Sequence, residues 1–222
     1  MICVQNLDFS YSPGTFQLFV PRLDVASGDL LAVVGASGSG KTTLLNIMAG
    51  ILAPNAGMVS IADSDLSALT GRQRRHMRIS QIGLIFQGFE LLEYLTVRDN
   101  LLLPYRISAV LEMNDDVETR LERLAEETGI ADLMMRFPNE LSQGERQRAA
   151  ICRALITSPS LILADEPTGN LDPDNKQRVL RVLLDQVARH SATLVMVTHD
   201  HDLLGPFDRV LDMREYHGGP PI

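Results

Sequence analysis

Cysteine is nearly absent: Cys3 and Cys152 are the only two in 222 residues, and they stand far apart in sequence. That excludes a disulfide framework and a clustered zinc site, and makes a reducing compartment the default expectation. Basic residues are in deficit, with 20 Lys plus Arg against 28 Asp plus Glu and a formal net charge of −8. This is the wrong sign for a protein that covers nucleic acid with a broad surface. No Lys or Arg precedes Arg22, and the first residues lack a basic leader followed by an apolar run, so no secretory signal is expected. The single uncharged stretch of membrane-spanning length, 42–62, is interrupted by Asn46, Gly50, Pro54, Asn55 and Gly57. Its Pro-Asn-Ala-Gly is turn chemistry that separates a helix from a strand, so any membrane role is expected to come through a partner. What is present, 45% hydrophobic and 22% charged residues with 16 Gly and 11 Pro, suits a globular chain able to bury a core. The length corresponds to about one and a half domains of roughly 150 residues, hence one unit with a lobe.

Residues 30–34 (Leu-Leu-Ala-Val-Val) form a short, continuously apolar run ending in glycine, the pattern of a parallel strand buried on both faces, and a helix over 41–49 is expected to follow. Similar runs at 82–86, 161–164 and 193–197 are separated by helical sequence, which argues a parallel α/β sheet. Segments 2–9 and 16–25 alternate more and predict antiparallel strands joined by 57–62. Between 95 and 138 the strand signal disappears. Val117, Leu121, Leu124, Ala125 and Thr128 recur at helical spacing behind Asn114 and Asp115 and ahead of Gly129, which predicts a helical lobe. The 218–221 segment, Gly-Gly-Pro-Pro, reads as a loose tail.

Gly35-Ala36-Ser37-Gly38-Ser39-Gly40-Lys41-Thr42-Thr43 fits G-x-x-x-x-G-K-[ST] between an expected strand and an expected helix. Glycines let successive N–H groups point into one concavity, and the helix start adds partial positive charge, so the segment is a phosphate cradle. Lys41 would address the β- and γ-phosphates, and the Thr42 hydroxyl would ligate Mg²⁺. Four apolar residues followed by Asp165 and Glu166 look like a buried strand delivering two acids to the sheet edge where ligands of open α/β sheets collect. Asp165 suits the Mg²⁺ shell, and Glu166 suits the polarisation of an attacking water. A GTPase would need a base-reading Asn-Lys-x-Asp, and Asn175-Lys176-Gln177-Arg178 lacks the final acid. A small-molecule kinase leaves the segment around Ser142 and the histidine at 199 unexplained.

Leu141-Ser142-Gln143-Gly144-Glu145 lies about twenty residues before the acid pair and opens a helix. With it the chain resembles the nucleotide-binding subunits of ABC transporters, from Tyr11 to about residue 212. The resemblance implies an α/β P-loop NTPase with a RecA-like parallel core, an antiparallel β subdomain and a helical subdomain, the core being 1–94 with 159–222 and the helical part 95–158. It implies that Ser142, Gly144 and Glu145 belong to the signature that addresses the γ-phosphate of a second protomer's ATP, Ser142 and Glu145 also forming a capping box. Tyr11 resembles the adenine-stacking aromatic, with Phe9 and Phe16 as alternatives. Gln87 resembles the glutamine that senses Mg²⁺ and water beside the membrane partner. Asn170-Leu171-Asp172 resembles the loop at the dimer interface, and His199 the histidine that contacts γ-phosphate. Gln143 departs from the commonest signature, which has glycine there. The cluster Arg72, Arg74, Arg75, His76 and Arg78 reads as a solvated helix face, and no nucleic-acid partner is expected.

Phe86-Gln87-Gly-Phe89-Glu-Leu91-Leu92 with Asp165-Glu-Pro-Thr-Gly-Asn170-Leu-Asp172 is similar to the branch containing lipoprotein-release, macrolide-export and related cell-division ATPases. This implies a homodimeric ATPase with ATP and Mg²⁺, peripheral at the cytoplasmic face of the inner membrane. It would energise a permease that docks near Gln87 to Leu95, for export or extraction of a lipid, lipoprotein, peptide or drug-like substrate. The alternative within the branch is a module driving a periplasmic regulatory process without transport.

Overall fold

The computed structural model describes residues 1–11, 16–62 and 64–216. In chain order the elements are β1 (Ile2–Ser10), β2 (Gln17–Val25), β3 (Leu30–Val34), α1 (Lys41–Met48), β4 (Ala56–Ile61), β5 (Ser64–Asp65), α2 (Gly71–Gln81) and β6 (Ile82–Ile85). Then come α3 (Val97–Leu101), α4 (Leu103–Ile107), α5 (Asp115–Glu127), α6 (Gln143–Leu155), β7 (Leu161–Asp165), α7 (Pro173–Arg189), β8 (Thr193–Val197) and β9 (Arg209–Asp212). The tail segment 218–221 lies outside the described residues. Two compact units divide the chain, one of residues 1–78 with 193–222 and one of 79–192.

The first unit holds an antiparallel sheet in the order β2-β1-β4-β5 and the parallel strands β8, β3 and β9, with β3 in the middle. On β1 the buried residues run Ile2, Val4, then Leu7 and Phe9, so the two-residue alternation slips once. The slip is a bulge: pairing with β4 shifts between Gln5 and Asp8, and Asn6 takes φ 49. Gly57 stands opposite at φ 90, where a Cβ would run into the Asn6 carbonyl, so glycine is required there. β3 and β8 are buried almost throughout, as their apolar runs predict. Helix α1 ends at Met48, and the Pro-Asn-Ala-Gly turn leads into β4, as expected. The basic cluster does lie on a helix, α2, but only Arg72 and Arg75 are well exposed among its arginines. Arg78 Nη1 donates to the Gly50 carbonyl at 3.4 Å, and Arg74 packs against Gly50. One cation and the stem of a second arginine thus cover the end of α1, which corrects the reading of a wholly solvated face.

In the second unit β6 and β7 pair in parallel, Leu84 opposite Leu163. α6 is buried on most sides and approaches β6 so closely that a Cβ on Gly83 would come within 2.5 Å of the Ala154 carbonyl oxygen. The expected helix behind Asn114 is α5, capped by Asn114 Oδ1, which accepts from the Val117 N–H, and its buried face is Val117, Leu121, Leu124 and Ala125. Besides one-residue shifts in the first unit, two strand boundaries here differ from expectation. β6 stops at Ile85 rather than Phe86, and β7 carries on to Asp165 because the chain turns only at Glu166, where φ is 48.

Candidate functional site

In the first unit, β3 ends at Val34 and the loop 35–40 wraps towards α1. Gly35, Gly38 and Gly40 have φ of 154°, 78° and 88°, values that turn peptide N–H groups towards one centre. Space as well as conformation demands glycine. A Cβ on Gly35 would meet Ser39 Oγ at 2.7 Å, and one on Gly40 would meet the Phe16 ring at 2.6 Å. Helix α1 has no side-chain cap at Gly40, whereas α5, α6 and α7 are capped by Asn114, Ser142 and Asp172. Its first-turn N–H groups, which have no intrahelical partner, therefore face the loop's concavity. Buried Ser39 Oγ has no hydrogen-bond partner, so this donor too fits an anion. Lys41 is buried, and its Nζ donates to the carbonyls of Gly35 (2.8 Å) and Ala36 (3.0 Å). An ammonium has three N–H donors, and these two bonds hold it over the loop. The residues present suit a polyphosphate.

The neighbouring strand β8 delivers His199 to the same end of the sheet: Val33 pairs with Val197, and the Thr198 N–H donates to the Val33 carbonyl at 3.0 Å. His199 is exposed there. Of the three aromatic candidates, Phe9 is buried core, Phe16 lies over Gly40, and Tyr11 keeps 58% of its surface exposed. Tyr11 stands edge-on to Phe9 with ring centroids 4.9 Å apart, and its hydroxyl is 3.1 Å from Thr43 Oγ1. The structure thus brings Tyr11 beside the phosphate loop, with an aromatic face open to solvent.

The second unit repeats this pattern with different chemistry. β6 and β7 are adjacent, so Gln87, and Asp165 with Glu166, emerge at the same end. Gly169 is the joint between them. Its N–H donates to the Glu166 carbonyl at 3.0 Å, and a Cβ there would lie 3.2 Å from Gln87 Nε2 and 3.5 Å from the Glu166 Cβ. Asn170 Nδ2 donates to the Gln87 carbonyl at 3.1 Å. Left-handed backbone at a non-glycine residue such as Glu166 costs roughly 1–2 kcal/mol and persists where surrounding structure enforces it. Here the turn re-aims a carboxylate at the strand end. Gln87 and Asp165, at this end of β6 and β7, both offer hard oxygen donors of the kind that suits Mg²⁺. No group of three or more His, Cys, Asp and Glu among the described residues is placed to hold a metal.

Ser142 caps α6 as the sequence predicts. Its Oγ and N–H both donate to Glu145 Oε2, at 2.7 and 2.8 Å, and the Glu145 N–H returns a bond to Ser142 Oγ at 3.4 Å. The Ser142 hydroxyl, then its backbone N–H, hold the Glu145 carboxyl below its ordinary range. Gln143 is exposed at the first helical position, so its long side chain meets solvent. Gly144 is buried: a Cβ would come 3.1 Å from Asn175 Oδ1. Asn175 Nδ2 donates in turn to the Asp172 carboxylate at 2.7 Å, so the signature helix and the start of α7 share one polar joint.

Cys152, further along α6, is fully buried with Sγ 2.9 Å from Thr128 Oγ1, and burial pushes its thiol up to about 12. At pH 8 its thiolate fraction is negligible. A maleimide is therefore expected to label Cys3, which is partly exposed, and to reach Cys152 only after denaturation. Peptide mass spectrometry checks this, and prompt native labelling of Cys152 would contradict the packing.

Residues 20–169 match the family model described as ABC transporter, well over half of the chain. The chain belongs to the ABC transporter family. This ABC ATPase is 44% identical over 217 residues to an ABC transporter ATP-binding protein of Mycobacterium tuberculosis, covering 96% of this chain and 87% of that one. It is 36% identical to the lipoprotein-releasing system ATP-binding protein LolD of Legionella pneumophila, over 95% of this chain and 93% of the relative. It is 38% identical to the macrolide export protein MacB of Rhodopirellula baltica over 97% of this chain, which spans 32% of that longer protein. Among solved structures, the dimeric, post-hydrolysis state of the cassette MJ0796 bound to ADP and Pi superposes with a TM-score of 0.84 at 29% identity, covering 96% and 94% of the two chains. The P-loop NTPase fold and the ATPase activity expected of the sequence follow. No helix among the described residues is long and apolar enough to cross a membrane.

Sequence reasoning missed Asn100, Gly169 and Arg153 in this ABC ATPase. Gly169 lies within the recognised acid-pair segment, and only its close contact with Gln87 marks it out.

Proposed function

We propose that this ABC ATPase works as a homodimer and energises a separate permease of the lipoprotein-release and macrolide-export type, at the cytoplasmic face of the membrane. The match to LolD along nearly the whole chain carries this reading. In it, the loop 35–43 holds the ATP phosphates through backbone N–H groups, Ser39 and Lys41, while Tyr11 stacks on the base. Thr42, Gln87 and Asp165 would hold Mg²⁺, which would neutralise charge on the phosphate oxygens. Glu166 accepts a proton from the attacking water, and His199 addresses the γ-phosphate. Ser142, Gly144 and Glu145 act on the ATP of the partner protomer, so each site needs two copies. Catalysis on this plan is positioning plus charge stabilisation, and removal of the γ-phosphate lets the dimer reopen.

The permease is proposed to dock near Gln87 to Leu95. Phe89, Leu91, Leu92 and Leu95 there are half-buried, and Tyr94 between them is 75% exposed. An exposed aromatic ring among apolar neighbours is the composition of an interface anchor. Tyr94→Ala is expected to fold and bind ATP as wild type but to lose tenfold or more in permease affinity, about 1.4 kcal/mol or greater. Pull-down from detergent-solubilised membranes, with mass spectrometry of the bound membrane protein, tests both levels of the proposal. Recovery of a permease with few membrane helices and a large periplasmic domain supports the branch. Recovery of a many-helix importer overturns it, and undiminished recovery with Tyr94→Ala moves the docking site elsewhere.

A further inference from the structure

Two consecutive residues behind Gln87 adopt left-handed backbone, Phe89 at φ 62 and Glu90 at φ 52. Neither is glycine, so the conformation is unfavourable at both and needs an external hold. Locally the Phe89 N–H donates to the Phe86 carbonyl at 3.3 Å and the Glu90 N–H to the Gly88 carbonyl at 2.7 Å. Both carbonyls of the strained pair point instead to one guanidinium. Arg153, on α6, donates through Nη2 to the Phe89 carbonyl at 2.8 Å and through Nη1 to the Glu90 carbonyl. Only a planar fork reaches two successive carbonyls with fixed geometry; a lysine offers a point charge on a flexible stem. Upstream, Asn170 holds the Gln87 carbonyl. The segment is therefore pinned at both ends, by the turn after Glu166 and by the helix that begins at Ser142.

We propose that Arg153 is a positioning residue for ATP hydrolysis: its fork sets the backbone path behind Gln87, aims the Gln87 carboxamide, and ties that residue to the signature helix as one mechanical piece. This rests on the role given above to Gln87. A lost fork would let residues 88–90 relax to ordinary backbone, and displacements of about 1 Å at a catalytic group cost up to a hundredfold in rate. Nucleotide affinity, set by the loop 35–43, would remain.

The test compares Arg153→Gln, Arg153→Lys, Gln87→Ala and the double variant Arg153→Gln/Gln87→Ala in the full chain. The readouts are ATP binding, hydrolysis against Mg²⁺ concentration, and amide hydrogen exchange. Arg153→Gln is expected to bind ATP within about twofold of wild type, to lose on the order of tenfold in kcat, and to need more Mg²⁺ for half-maximal rate. Exchange should quicken at residues 89–91 and stay unchanged in β7, with Arg153→Lys intermediate in every readout. The double variant should be no slower than Gln87→Ala, because coupled defects do not multiply. Multiplying defects, or unchanged exchange at 89–91, would overturn the proposal. If Gln87→Ala hydrolyses as wild type with wild-type Mg²⁺ dependence, the role of Gln87 falls, while exchange still reports whether Arg153 holds the loop. Should Arg153→Gln not fold, Arg153→Lys carries the same comparison.

Discussion

Glu166→Gln is expected to bind ATP with wild-type affinity, hydrolyse it roughly a hundredfold or more slowly, and accumulate as an ATP-bound dimer on size exclusion. Removing a general base typically costs a factor of about a hundred to ten thousand, and the amide keeps the size and shape of the carboxylate. The left-handed backbone at 166 and the turn closed by the Gly169 N–H are backbone features, so the exchange of one side-chain atom leaves them in place. On the proposed reading affinity is set elsewhere, by Lys41 over the loop carbonyls and the uncapped start of α1. Near-normal turnover in this variant would remove Glu166 from the role of base, and loss of ATP binding would mean that its charge helps to build the nucleotide site.

The largest loss of stability is expected at Asn100. Its side chain is fully buried, accepts from the Leu92 N–H at 2.7 Å, and shares its two Nδ2 hydrogens among the carbonyls of Leu92, Leu95 and Thr96 at 3.0, 3.1 and 3.0 Å. One carboxamide thus serves the backbone of the turn between Leu92 and Thr96. Asn100→Ala strips these bonds from the Leu92 N–H and the Leu95 carbonyl, whereas the Leu92 and Thr96 carbonyls keep the Leu95 and Asn100 N–H groups, and buried unsatisfied polar atoms cost about 1–3 kcal/mol each. Part of that is recovered by relaxation, so about 3 kcal/mol is expected, or roughly 10 °C in Tm for a chain of this size. Asn100→Asp should be worse still, because a carboxylate cannot donate to three carbonyls. Thermal unfolding checks both, and a Tm within a degree or two of wild type would show that the turn is held by other means.

The parts legible from sequence are those whose chemistry is local. The phosphate loop, the cap of α6 at Ser142 and the apolar runs of β3 and β8 each specify their structure within a few residues. Asn100, Arg153 and the Asn6 bulge carry no such signal. Arg153 reaches carbonyls 63 and 64 positions away, and an arginine within a helical pattern reads as an ordinary solvated side chain. The bulge at Asn6 is fixed by Gly57 on a strand about fifty residues later, which no period in the first ten residues reveals. Arg74 and Arg78 read as solvated for the same reason, since Gly50, against which both lie, follows the far end of α1.

The bare start of α1 has a consequence for anyone wishing to make this cassette more heat-resistant. Adding a Ser or Asp cap to an uncapped helix is a routine gain of about 1 kcal/mol, and Gly40 is the obvious position by that criterion. A side chain there would need to displace the Phe16 ring 2.6 Å away and adopt φ 88. If it succeeded, its oxygen would take the N–H groups that a triphosphate uses, and a carboxylate would also repel it. Backbone conformation, the Phe16 ring and the nucleotide site therefore all exclude a cap at this one residue. Libraries selected for thermal tolerance should retain glycine at 40, with or without ATP, and accumulate their changes elsewhere.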